Sequence, residues 1–231
     1  MKRKAILLKF GLNDYELFTS GKDLGLVKCF LKSAQGVCFS DEEIVEYIST
    51  EIEKDFLVTL IESVEYSFIY FSGHSLFFER LVHIPLLNND CIKESELIRP
   101  NKKQWIFLDC CRTSQQTIQS PDFEMARHVN LLTPGNDIAQ EKWKNNISSF
   151  DSFYIIYYTT KLGCLSYNNN DGGFGTQLFF MKLMENANIN LSIKELMLII
   201  NQEAIQQSDI ITGNIDASNF FVNNMFENQT L

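Results

Sequence analysis

The strongest constraint on this chain is an alternation. Three short runs rich in aromatic and β-branched residues, Tyr66–Phe71, Gln104–Leu108 and Phe153–Tyr158, occur in a chain whose other segments, Lys22–Lys32 and Phe56–Ile61 among them, repeat their apolar residues every three to four positions. Runs of that length suit strands buried on both faces. Alternating with helices, they imply a mostly parallel sheet covered on both sides, an α/β architecture. Arg3–Phe10, with Ala-Ile-Leu-Leu inside it, reads as another buried strand ended by the turn Gly11-Leu12-Asn13-Asp14. Gly36–Phe39 and Ser218–Val222 read as short strands. Helices are expected over Lys22–Lys32, behind the capping-box pattern Thr50-x-x-Glu53, over Thr176–Met184 and over Ser192–Gln206; Ser40-x-x-Glu43 is a further capping box. Between Arg112 and Asp151 about forty residues rich in Gln, Ser, Asn and Thr lose the periodicity and read as a long loop.

The 231 residues suit one domain with a full core. Twenty basic against 29 acidic residues leave a net charge of −9, which argues against a nucleic acid partner, because a phosphate backbone is tracked by clustered Lys and Arg. No apolar run approaches the roughly 18–20 residues that span a bilayer, and Lys9 ends the apolar stretch after Lys2, Arg3 and Lys4 too early for a secretory signal. A soluble cytoplasmic protein with no membrane partner is expected. The six cysteines, Cys29, Cys38, Cys91, Cys110, Cys111 and Cys164, show neither C-x-x-C metal spacing nor a dense disulfide framework, so reduced thiols and no metal centre are expected. Gly172-Gly173-Phe174-Gly175 lacks a phosphate-binding pattern, and no EF-hand spacing occurs.

In an open α/β sheet, ligands bind beyond the carboxyl ends of the strands. His74 follows one strand end and Cys111 another. A thiolate attacks a carbonyl carbon while an imidazole moves the protons, so such a pair is a candidate acyl-transfer site. His83 and His128 are read as ordinary hydrogen-bonded residues.

Tyr70-Phe71-Ser72-Gly73-His74, followed by Leu108-Asp109-Cys110-Cys111-Arg112, resembles the caspase-like cysteine proteases: caspases, metacaspases and their bacterial single-domain relatives. Lys4–Phe10 with Asn13-Asp14-Tyr15 is similar to that fold's first strand and turn, and Asp171–Thr176 with its following helix to the small-subunit half. The resemblance implies a caspase-like three-layer sandwich with about six strands in one peptidase domain, 1–231. Residues 1–112 would be the large-subunit-like part, 113–151 a linker and 152–231 the small-subunit-like part. It implies Cys111 as nucleophile, His74 as general acid and base, and the backbone amides of Ser75 and Cys111 as the oxyanion hole. Cys110, one residue earlier, faces the other side of the sheet.

Asp109 and Asp23 match the acidic pocket of metacaspase-like members, which implies cleavage after Arg or Lys in a protein or peptide substrate. Arg127, Lys142 and Lys144 then become candidate self-processing sites. No cofactor is required by this chemistry. Whether calcium, a small-molecule messenger or a partner protein activates the chain is open at this stage. Bacterial single-domain members are commonly effectors of stress or antiviral systems. One position departs from the family: Ser75 stands where Gly usually follows the histidine, and a backbone open only to Gly would be strained by Ser. An inactive caspase-like adaptor is therefore the alternative reading.

Overall fold

The structure, a computed structural model, describes residues 1–34, 36–112, 134–160, 166, 168–185 and 220–222. From the N-terminus the elements are β1 (Arg3–Phe10), α1 (Asp14–Lys32), β2 (Ile44–Ile48), α2 (Lys54–Glu62), β3 (Tyr66–Gly73), β4 (Leu76–Phe78), β5 (Leu81–Pro85) and β6 (Cys91–Lys93). There follow α3 (Glu94–Leu97), β7 (Lys103–Asp109), α4 (Asp137–Ser148), β8 (Phe153–Tyr158), β9 (Asn168–Asn169), β10 (Gly172–Gly173), α5 (Phe174–Glu185) and β11 (Phe220–Val222). Six of the strands form one sheet in the order β11-β8-β7-β3-β1-β2. All its pairings are parallel except β8 with β11.

The pleat divides the core in two. Leu7, Phe68, Tyr70, Phe107 and Tyr157 project to the face covered by α1, α4 and α5. Ile6, Leu8, Ile69, Phe71, Ile106, Leu108 and Cys110 project to the opposite face, where Leu57 and Ile61 of α2 and Leu97 of α3 cover them. Helices on both faces account for the near-continuous apolar runs, since a strand buried on both sides has no solvent position to fill with polar residues. On the first face Phe107 meets Tyr157, Phe179 and Phe180, with ring centroids 4.5, 5.0 and 5.4 Å apart. These rings anchor α5 and with it the glycine turn before it.

Several expectations are revised. Helix α1 begins eight residues before Lys22, because Asn13 caps it by accepting from the Glu16 amide at 3.0 Å. Gly36–Phe39 is a turn, not a strand. Val37 and Cys38 have φ of 74° and 53°, and the buried Arg3 guanidinium donates to both their carbonyls. The Ser40–Glu43 box opens only a single helical turn, Asp41–Glu43, and leads into β2. The helix behind Thr50 starts at Lys54. Residues 137–148 of the expected long loop form α4, capped by Asn136, whose side chain accepts from the Ala139 amide at 2.9 Å. A three-stranded antiparallel sheet, β4-β5-β6, follows His74. The final short strand is present at Phe220–Val222. The Ser192–Gln206 helix, Arg127, His128 and Cys164 lie outside the described residues.

Candidate active site

Strands β3 and β7 are neighbours, with Ser72 opposite Asp109 in register. The residues that follow them therefore emerge side by side at the carboxyl edge of the sheet. Gly73 makes the exit of β3 possible. Its φ is +140°, and a Cβ there would lie 2.0 Å from the Phe10 carbonyl oxygen, so no other residue can occupy it without a shift of β1 or β3. His74 and Cys111 line the same small cavity, together with Phe10, Glu16, Ser72, Asp109, Ser166 and Gly173. Cys110 is buried on the opposite face, as the alternation of strand side chains requires.

The Cys111 turn is held from three sides. The Ser75 hydroxyl donates to the Cys111 carbonyl at 2.8 Å, the Thr160 hydroxyl donates to the Cys110 carbonyl, and the Arg112 guanidinium stacks 3.7 Å from the Tyr158 ring centroid. Ser75 is not among the non-glycine residues with positive φ. The strain expected of Ser at this position is absent, and its side chain serves as a clamp on the cysteine turn.

Among the described residues Asp109 accepts four hydrogen bonds. Oδ1 takes the Thr159 and Ser166 hydroxyls at 2.6 and 2.7 Å; Oδ2 takes the Thr176 amide at 3.1 Å and its hydroxyl. Thr176 lies in the first turn of α5, so this carboxylate also faces a helix N-terminus. Asp23 of α1 is 2% exposed and stands one layer behind, where it accepts from the Ser72 hydroxyl at 2.7 Å and from the Gly173 amide at 2.8 and 2.9 Å. Burial first, and then the Asp109 charge, push the Asp23 carboxyl well above the usual carboxylate range. Among the described residues no Lys or Arg forms an ion pair with either aspartate.

The glycine turn wedges between the two acids. A Cβ on Gly173 would lie 2.2 Å from Asp109 Oδ2 and 3.2 Å from Asp23 Oδ2. The remaining cavity is about 30 Å³, room for ordered water but not for a long side chain. Ser166 narrows it further: its amide donates to the Cys111 sulfur at 3.3 Å while its hydroxyl holds Asp109. Burial raises the Cys111 thiol above its ordinary value, the Ser166 amide lowers it, and the Asp109 charge raises it. The sulfur is therefore a thiol at rest, and attack requires a base to take its proton.

Two members of this site, Ser166 and Glu16, are invisible to motif reading. The Glu16 carboxylate lies 3.2 Å from His74 Nε2. Lys142 and Lys144, expected as self-processing positions, lie inside α4. A peptidase takes its substrate extended, so neither bond is presented for cleavage in this conformation. A thiol–imidazole contact away from this cavity, Cys91 Sγ to His83 Nδ1 at 3.6 Å, lies in the β5–β6 hairpin, with His83 fully buried and stacked on Phe78. Among the described residues no cluster of three or more His, Cys, Asp or Glu is arranged for a metal ion, and no helix is long and apolar enough to cross a membrane.

Comparison with solved structures finds the same fold at low identity. Caspase-1 from Spodoptera frugiperda superposes with a TM-score of 0.54 at 12% identity, over 95% of this chain and 84% of that one. Protein GSU0716 from Geobacter sulfurreducens superposes with a TM-score of 0.59 at 12% identity, over 99% and 98%. No curated protein matches the chain. A family model described as the caspase domain matches residues 41–214, which span β2 to the segment before β11 and include both His74 and Cys111. The chain belongs to the caspase-domain peptidase family.

Proposed function

We propose that this chain is a cysteine endopeptidase, latent at rest, that cleaves after Arg or Lys through Cys111 and His74. The observation that carries the reading is the cavity itself. A thiol, an imidazole and the buried Asp109 carboxylate line it, Asp23 stands one layer behind, and among the described residues only neutral donors reach either of the two acids. Buried like charges without a cation are unfavourable, and a guanidinium or ammonium group entering there relieves both. An acidic side chain would instead bring a second negative charge against Asp109.

In the reaction His74 takes the Cys111 proton as the sulfur adds to the scissile carbonyl carbon, and returns it to the leaving amine as the C–N bond breaks. Water then adds to the thioester, with His74 as base, and the thiol is regenerated. The oxyanion would be held by the amides of Ser75 and Cys111. Latency follows from the contents of the cavity. Ser166 is bound to the nucleophile and Gly173 fills the space between the acids, so a substrate side chain enters only after that segment withdraws. The trigger is then whatever favours the withdrawn state, with calcium, a nucleotide-like messenger and a partner protein as the candidates.

The test is turnover of fluorogenic peptides ending in Arg, Lys or Asp, alone and with calcium or a cell lysate added. Arg and Lys turnover that is lost in Cys111→Ala and kept in Cys110→Ala is the expected result. Cleavage after Asp would overturn the pocket argument. The raised Cys111 thiol and filled cavity favour a second reading, a caspase-like adaptor without turnover. Alkylation of Cys111 no faster than that of exposed Cys29 under every condition tried would select it.

A further inference from the structure

Helix α1 begins with its acidic residues, Asp14 and Glu16, in the first turn, where the helix dipole favours negative charge. The Glu16 side chain turns back along the helix entrance. Its Oε2 accepts from the Leu12 amide at 2.6 Å and lies 3.2 Å from His74 Nε2. The same oxygen thus accepts from the chain at one side and faces the imidazole nitrogen at ion-pair distance on the other. Both side chains are about one quarter exposed, at 26% and 27%. The approach is built into the sheet. Phe10 and Gly73 are register partners at the ends of β1 and β3, so the segments after them, bearing Glu16 and His74, leave the sheet together.

We propose that Glu16 is the positioning carboxylate of His74, making the site a Cys111–His74–Glu16 constellation. The inference rests on the peptidase reading and goes beyond its two-residue dyad. With Nε2–H donated to Glu16, the ring is fixed in one tautomer, and Nδ1 is the nitrogen left to exchange protons in the cleft. The thiol proton moves to Nδ1 as the S–C bond forms, and the imidazolium so created is paired with the Glu16 carboxylate. That proton then passes to the leaving nitrogen. In the second half a water proton takes the same route to sulfur. Glu16 takes up no proton at any step. Its contribution is orientation and compensation of a transient charge.

The experiment uses the full chain with Glu16→Gln and Glu16→Asp. Gln keeps an acceptor for the Leu12 amide and so preserves the cap, which a melting curve verifies. On Arg peptides Glu16→Gln is expected to lower kcat by about tenfold or more with KM within about twofold, and Glu16→Asp to recover part of the loss. Wild-type kcat in Glu16→Gln overturns the proposal and leaves the peptidase standing. A chain that cleaves nothing fails the peptidase reading, and the proposal is then decided by nitrogen-15 spectra of the imidazoles. The chain has three histidines, so His83 and His128 variants assign the His74 signals. A neutral His74 ring held as the Nε2–H tautomer, and released to a mixture in Glu16→Ala, supports the contact. An unchanged tautomer in Glu16→Ala refutes it.

Discussion

Replacing Asp23 with Asn removes one ionisable carboxyl from the buried pair while keeping an oxygen for Ser72 and Gly173. The size of the effect follows from the glycine wedge. The two acid oxygens can be no farther apart than their distances from the Gly173 Cβ position taken together, 2.2 and 3.2 Å, or about 5.4 Å. Two full charges at about 5.4 Å repel by about 3 kcal/mol at an effective dielectric of about 20. The folded chain escapes part of this by keeping Asp23 protonated, which is what its raised carboxyl means. The sign is then determined. Below the unfolded carboxyl value, near about 4, both states hold the proton and the site contributes its full stability. As pH rises through the raised native value, the native carboxyl must lose its proton against burial and Asp109, and that stability is lost. The amide of the Asp23→Asn variant has no proton to lose, so its contribution stays constant. Melting curves from pH 4 to 8 should therefore show Asp23→Asn gaining on the wild type as pH rises, by about 1–3 kcal/mol, or several degrees for a chain of this size. Against Arg peptides the same variant should lose about 10–100-fold in kcat/KM, since half of the cation's counter-charge is gone. A variant no more stable than wild type at pH 8 refutes the like-charge argument. One that keeps its full preference for Arg over norleucine refutes the pocket.

The other expectations concern the residues that hold the site shut or hold it in shape. Ser166→Ala removes the hydroxyl donated to Asp109 and should speed iodoacetamide labelling of Cys111 by at least about fivefold, the equivalent of one hydrogen bond of about 1 kcal/mol; an unchanged rate would mean that Ser166 does not restrain the sulfur. Cys111→Ala should abolish turnover with little change in melting temperature. Cys110→Ala should do the reverse, costing about 1 kcal/mol of core packing and leaving kcat near wild type. Gly73→Ala combines a φ reserved for glycine with a collision at the Phe10 carbonyl, so a urea titration should show a loss of about 2–4 kcal/mol and the activity should fall with the displacement of His74.

How far the fold can be read from the sequence depends on which residues face solvent. Strands β1 and β8 carry the residues the sequence pattern assigns to them, because both are interior strands whose side chains have no polar alternative. Strand β2 escapes pattern reading. It is an edge strand, Ile44–Ile48, with Glu46 in its middle, and it follows a capping box that normally announces a helix. The first two turns of α1 escape it because their apolar residues Tyr15 and Phe18 are exposed, at 57% and 60%, rather than on the core stripe that periodicity detects. Helix α4 resembles loop in sequence for a related reason. Ile147 is its one buried residue, so it too lacks an apolar stripe. Its signal is the Asn136 cap, not hydrophobicity.

The site divides along a different line. His74, Cys111 and Asp109 are legible because a strand end fixes where its own residues go, and two neighbouring strand ends suffice to form a pair. Glu16 and Ser166 reach the same cavity only by tertiary approach, Ser166 from 55 residues beyond the cysteine it touches, and no local pattern marks either. The closed cavity then explains why two buried acids are tolerable at rest. Asp109 is served by three hydroxyls, an amide and a helix N-terminus, and Asp23 by a hydroxyl, the Gly173 amide and its own proton. A cationic side chain that displaced Gly173 and Ser166 would exchange neutral donors for a full positive charge. It would also draw the proton from Asp23 and uncover the thiol in the same movement. Selectivity and release from latency would then be one equilibrium, so substrates without a basic residue should fail to open the site as well as fail to bind it.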